Sequence, residues 1–145
     1  LRRGVNFIKR VLALVLVGLF ALVVMSGCSS KTASGGYKDG TYKAEQPDFD
    51  DHGWKGQIEV TVKDGKIASV TYNEVNKDGQ LKRDDQQYAE NMKAKVNITP
   101  KEAYEKLEQQ LVEKQDPAKV DAVTGATHTS ETFKELATEA LKNAK

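Results

Sequence analysis

Between Lys55 and Lys63 apolar and polar residues alternate: Ile58, Val60 and Val62 fall on one face, Glu59, Thr61 and Lys63 on the other. A period of two over this length predicts a strand with one face buried. Asp64-Gly65 follows, a pair suited to the positive φ angles of a two-residue hairpin turn. Lys66 to Asn73 then reads as the partner strand, with Ala68, Val70 and Tyr72 sharing a face. Upstream, Asp39-Gly40-Thr41-Tyr42 reads as a turn leading into a short strand, and Gln46 to Gly53 as a loop. Beyond a polar connector, Glu74 to Lys82, the period changes. Asp84 or Asp85 caps a helix reaching about Lys95, with Tyr88 and Met92 one turn apart. Thr99-Pro100-Lys101-Glu102 is a capping box with proline at the first helical position. Ala103, Tyr104, Leu107, Leu111 and Val112 form the apolar stripe of that helix, and Asp116-Pro117 ends it. Lys119 to Val123 reads as a short extended segment. A last helix, about Glu131 to Asn143, buries Phe133, Leu136, Ala137, Ala140 and Leu141. The sum is one α+β domain over residues 37–145, a small antiparallel sheet with helices packed on one side.

The front of the chain follows a different logic. Arg2, Arg3, Lys9 and Arg10 precede an apolar run from Val11 to Met25, broken only by Gly18 and closed by Ser26-Gly27-Cys28. This is the layout of a signal peptide over residues 1–27, and the run is short for a bilayer span. Val24-Met25-Ser26-Gly27-Cys28 resembles a lipobox, which implies that Cys28 is lipidated and becomes the mature N-terminus. Residues 28–36 then form a Ser/Gly-rich tether of roughly 15 Å. Cys28 is the only cysteine, so an internal disulfide, a dithiol pair and a cysteine-held cluster are excluded. Electron transfer, if any, would need an organic cofactor. The full chain has 22 basic and 21 acidic residues; losing four basic residues leaves 18 against 21, a net charge of −3. That balance gives no electrostatic footprint for nucleic acid. His52 and His128 lie far apart and predict no metal site, and Asp48, Asp50 and Asp51 read as a solvated loop.

The stretch Asp121-Ala122-Val123-Thr124-Gly125-Ala126-Thr127-His128-Thr129-Ser130 carries the candidate chemistry. It leads into the last helix, whose N-terminus favours an anion such as phosphate. Gly125 and Ala126 let a bulky group approach the backbone. Asp-x-x-Ser/Thr-Gly-Ala-Ser/Thr followed by Thr-Ser resembles the covalent flavinylation motif of FMN-binding domains. Such domains occur in the C subunit of the sodium-pumping quinone reductase, the G subunit of the Rnf complex and extracellular electron-transfer lipoproteins. The hairpin pattern from Gly56 to Val70 is similar to the start of that domain as well. The resemblance implies that Thr127 carries FMN through a phosphoester, placed there by a separate flavin transferase that uses FAD and magnesium. It implies that Asp121 is read by that transferase or caps the local turn, that Thr124 and Gly125 shape the loop, and that Ala126 keeps the path to Thr127 clear. Trp54 and Tyr42 are candidates to stack on the flavin, whereas Tyr72 reads as core and His128 as an exposed helix-entry residue. Asn73-Glu74-Val75-Asn76 stands where many members have Glu-Thr followed by glycines.

Together these features predict an extracytoplasmic electron carrier, anchored to the cell membrane by lipid, that takes electrons from a membrane redox donor and passes them to an external or membrane acceptor. The alternative is a lipoprotein binding or scaffold module that holds FMN or another ligand without a covalent bond. A third is that the cleaved leader acts as a signalling peptide, as in some pheromone-encoding lipoproteins.

Overall fold

The computed structural model describes residues 36–145; the leader, Cys28 and the tether up to residue 35 lie outside the described residues. Three antiparallel strands, β1 (Gly40–Glu45), β2 (Lys55–Lys63) and β3 (Lys66–Val75), pair in the order β1-β2-β3. Three helices follow: α1 (Gln86–Val96), α2 (Pro100–Lys114) and α3 (Thr127–Leu141). The α+β architecture expected from the sequence is the one observed.

The hairpin turns where Asp64-Gly65 predicts it, with φ of 53° and 77° at the two residues. One detail of the partner strand differs. A bulge between Thr61 and Val62 pairs Thr61 with Ser69 and Val62 with Ile67, passing over Ala68. The extra residue reverses the facing order locally, so Ile67 enters the core and Ala68 is exposed.

The buried face of the sheet receives α2 and α3. Tyr72 is fully buried and meets Tyr104 and Phe133 edge-on, with ring centres 5.0 and 5.4 Å away. Leu107, Leu111, Ala137 and Leu141 complete the predicted stripes. Gly56 is where α3 presses closest to β2. A side chain there would meet Thr132 Cγ2 at 2.9 Å and the Tyr72 hydroxyl at 3.0 Å. The capping box at Thr99 forms in full, with Glu102 N–H donating to Thr99 Oγ1 and Thr99 N–H to Glu102 Oε2.

Among the described residues no strand lies beside the outer margin of β3, and polar side chains take its backbone groups. Gln115 Oε1 accepts from Ile67 N–H at 2.7 Å, and its Nε2 donates to Ile67 O at 2.9 Å. Glu108 accepts from Tyr72 N–H, and Arg83 donates to Tyr72 O. Gln115 holds this place in a left-handed conformation, φ 60°, as the C-cap of α2. Gln115→Leu is therefore expected to cost about 1–3 kcal/mol, since it orphans backbone groups of a half-buried strand. A lowered urea midpoint with unchanged slope is the measurement that checks it.

Two boundaries differ from expectation. Lys119 closes a 3-10 turn, Pro117–Lys119, rather than opening an extended segment; Val120 is extended, at φ −71° and ψ 123°, and residues 120–123 form no strand. The last helix starts at Thr127, four residues earlier than its apolar period suggests.

Candidate functional site

Ser130 sets the early start of α3. It is fully buried, its hydroxyl donates to Ala126 O at 2.7 Å, and its oxygen accepts from Val123 N–H at 3.0 Å. One side chain thus clamps the loop onto the first helical turn. Gly125 makes the turn possible: its φ is +83°, and a β-carbon there would stand 3.0 Å from both Cβ and O of Val96. Gly125→Ala is expected to destabilise the fold by about 1–3 kcal/mol through backbone strain and overpacking, seen as a lowered melting temperature.

Thr127 is then the first residue of α3, exposed at the surface. No side chain caps this helix end. The first-turn N–H groups lack intrahelical acceptors and concentrate the positive end of the helix dipole. A hydroxyl and a set of amide donors thus share one spot, the arrangement a phosphate monoester requires.

Beside this spot lies a cleft of about 500 Å3, within the size range of small-molecule sites. Its far wall is α1. Tyr88, Met92 and Val96 recur every four residues on that helix and line the cleft, and α1 has no buried residue of its own. Gly125, Ala126 and Thr127 line it from the α3 side, and Lys82, Ala103 and Tyr104 contribute as well. The Tyr104 hydroxyl is buried without a hydrogen-bond partner among the described residues. Burial, and then the charge of Glu74, push its pKa well above the ordinary phenol range, so it stays a neutral phenol beside that carboxylate. A second concavity of about 540 Å3 on the open sheet face, among Lys43, Glu45, Gln57 and Glu59, contains no motif residue.

Below the cleft is a buried ionic network that the sequence presents as a plain polar connector. Glu74 is 5% exposed and Lys82 7%, and Lys82 Nζ meets Glu74 Oε2 at 2.6 Å. The other carboxylate oxygen, Oε1, accepts from the Tyr72 hydroxyl at 3.1 Å and from Thr129 Oγ1 at 3.0 Å. Thr129 thereby ties the motif to β3.

The remaining candidates fall as follows. Thr124 is exposed and outside the cleft lining; Asp121 is exposed and bonded to Lys114 at 2.5 Å, which holds its carboxyl below the usual carboxylate range. Trp54 is buried, edge-on to Tyr88 at 5.9 Å, and is not among the cleft-lining residues. Tyr42 is part-buried against the core, its hydroxyl donating to Lys38 O. Asp50 is more than a solvated loop residue: its Oδ1 accepts from Trp54 and His52 N–H, and its Oδ2 lies 3.9 Å from His128 Nε2 across the cleft. Among the described residues no cluster of three His, Cys, Asp or Glu is placed to hold a metal. Sequence reading missed Lys82, Tyr104 and Val96 as site residues. The Tyr88–Met92–Val96 spacing on an otherwise polar helix was the available signal.

A sequence profile of the FMN-binding domain matches residues 53–142, more than half of the chain. The chain belongs to the FMN-binding domain family. A relative, the 15 kDa lipoprotein of Treponema pallidum (strain Nichols), is 39% identical over 131 residues, covering 88% of this chain and 90% of that one. A crystal structure of a protein from Clostridium perfringens superposes with a TM-score of 0.72 at 44% identity, covering 74% of this chain and 88% of the other. A solution structure from Clostridium thermocellum gives 0.52 at 38% identity, covering 74% and 92%. FMN is the cofactor of this FMN-binding domain, and lipoprotein character agrees with the Treponema relative. No described helix is long and apolar enough to cross a membrane. The cleft fits FMN on three counts. It pairs an apolar wall with an unsatisfied buried donor, offers an uncapped helix end for a phosphate, and narrows at Gly125 where a side chain has no room.

Proposed function

We propose that Thr127 carries FMN through a phosphoester and that the protein is an extracytoplasmic electron carrier tethered to the membrane at Cys28. The observation that carries this reading is the exposed Thr127 at the uncapped start of α3, on the lining of the cleft. In attachment, Thr127 Oγ1 bonds to the FMN phosphorus of FAD, the pyrophosphate link breaks, AMP leaves, and the hydroxyl proton passes to a base on the transferase. A threonine needs such outside activation because its hydroxyl is a weak nucleophile. Once bound, FMN accepts and returns electrons.

The chain's own residues do the rest. The first-turn amides of α3 hold the phosphate, Ser130 fixes the loop that presents it, and Tyr88, Met92 and Val96 shield the ring from water. Asp121, outside the cleft and exposed, is available to a transferase that reads the motif. Diacyl lipid at Cys28 supplies the two chains that durable anchorage requires, and the short tether keeps the flavin concentrated near membrane donors and acceptors.

The test is the intact mass of the protein made together with flavin transferase, FAD and magnesium. Gain of one FMN on the tryptic peptide containing Thr127, with yellow colour, supports the carrier. A colourless protein with that peptide unmodified overturns it in favour of a non-covalent binding module.

A further inference from the structure

Among the described residues, Lys82 is the one cleft-lining residue whose full charge is nearly excluded from water, its side chain being 9% exposed. Besides Glu74 at 2.6 Å, it is held over two aromatic faces, 5.3 Å from the Trp54 ring centre and 4.7 Å from that of Tyr88. Cation–π contacts strengthen when the cation is desolvated. Burying a lysine is costly unless its partners compensate, and three groups of this chain do so here. The pair is also polarised toward the cleft: Lys82 lines it and Glu74 does not. An ammonium has three donors; one goes to Glu74, and no second oxygen acceptor meets it among the described residues. A fixed cation with spare donors at a cleft wall suits a ligand that presents ring-nitrogen and carbonyl acceptors and that gains negative charge.

We infer that Lys82 contacts the FMN ring and raises its reduction potential, with Glu74 as the positioning residue that fixes the ammonium. The inference rests on the flavin being seated in the cleft beside Thr127. When an oxidised flavin takes two electrons from a reductant and one proton from solvent, its ring ends one unit more negative than before. A neighbouring cation favours that form, and charge near the ring nitrogens is a known means of tuning flavins. Trp54 enters the site through this lysine: its face holds the ammonium in place.

The experiment uses the processed full chain made with flavin transferase, FAD and magnesium, as wild type, Lys82→Arg, Lys82→Met and the paired Glu74→Gln/Lys82→Met. Mass is read first, then the midpoint potential at fixed pH by dithionite titration against a reference dye. In Lys82→Met the reduced-to-oxidised ratio at fixed poise should fall at least about tenfold, the effect of unit charges as far as about 10 Å apart at an effective dielectric near 20, with closer contact giving more. For a two-electron couple this is about 30 mV. Lys82→Arg, which keeps the charge, should stay within about twofold of wild type. The paired variant removes both charges, so no buried ion is left unmatched if Lys82→Met alone does not fold. Its ratio should fall in the same direction by about threefold, since the positive end of the pair faces the cleft. A flavin-loaded Lys82→Met or paired variant with an unchanged or higher potential overturns the inference. Where wild type has no covalent FMN, the same titrations on added, non-covalently bound FMN separate failure at Thr127 from failure at Lys82. A wild type that holds FMN in neither way overturns both.

Discussion

Thr127→Ala, made alongside its transferase, is expected to fold as wild type does and to carry no FMN at all. The side chain is exposed and its hydroxyl has no hydrogen-bond partner among the described residues. Alanine is also the better helix former, by up to about 0.7 kcal/mol. Melting temperature should therefore hold or rise slightly, while visible absorbance and the added mass disappear. Thr127→Ser should restore both, because it returns a hydroxyl at the same helix position. Two further variants assign the effect. Thr124→Ala should keep its flavin, the side chain being outside the cleft lining. Thr129→Ala should keep it too, with stability lowered by about 1 kcal/mol for the lost bond to Glu74. Absence of flavin from either control, with the Thr127 variant still yellow, would move the attachment point.

Glu74→Ala is the substitution expected to cost most stability, about 3–5 kcal/mol, because it strands a buried lysine and removes the acceptor of two hydroxyls. Tyr72 sits at the centre of the aromatic core, and burial and the Glu74 charge hold its hydroxyl protonated, so that it donates to that carboxylate. Without the carboxylate that donor faces nothing. A fall in melting temperature of more than about 10 °C is the expected readout for a domain of this size. The paired replacement with Lys82→Met should recover most of the loss, since an exchange of a buried ion pair for neutral groups is often close to neutral. A single variant within about 1 kcal/mol of wild type would show that the network is dispensable to the fold.

The sheet and helices were largely legible because each is announced by adjacent residues. Ile58-Val60-Val62 with Asp64-Gly65 gives a hairpin from period and turn chemistry alone, and Thr99 to Glu102 gives a helix start from a capping box. What stayed hidden depends on partners distant in the chain. Thr127, His128 and Thr129 are indifferent helix formers, and the apolar period begins only at Phe133; Ser130 pulls the helix back to Thr127 by bonding to Val123 and Ala126. Glu74 and Lys82 look like residues of a solvated connector, and only the packing of Trp54, Tyr88 and Tyr72 around them takes them out of water. The bulge that trades Ala68 for Ile67 leaves no mark on an alternating pattern. In the site, the motif located Thr127 and Gly125 but was silent on the opposite wall, since cleft walls come from helices tens of residues away.

That wall has a thermodynamic meaning of its own. Helix α1 has 11 residues, none of them buried, and lone helices shorter than about 12–15 residues are marginal in water. Met92 packs in part against the core and Tyr88 against Trp54, but the same apolar side, Val96 included, also lines a space sized for a small molecule. With FMN seated in this cleft as proposed, its arrival and the consolidation of this helix would be coupled, an unloaded chain would be the less finished one, and the prosthetic group would serve as a missing piece of the hydrophobic interior.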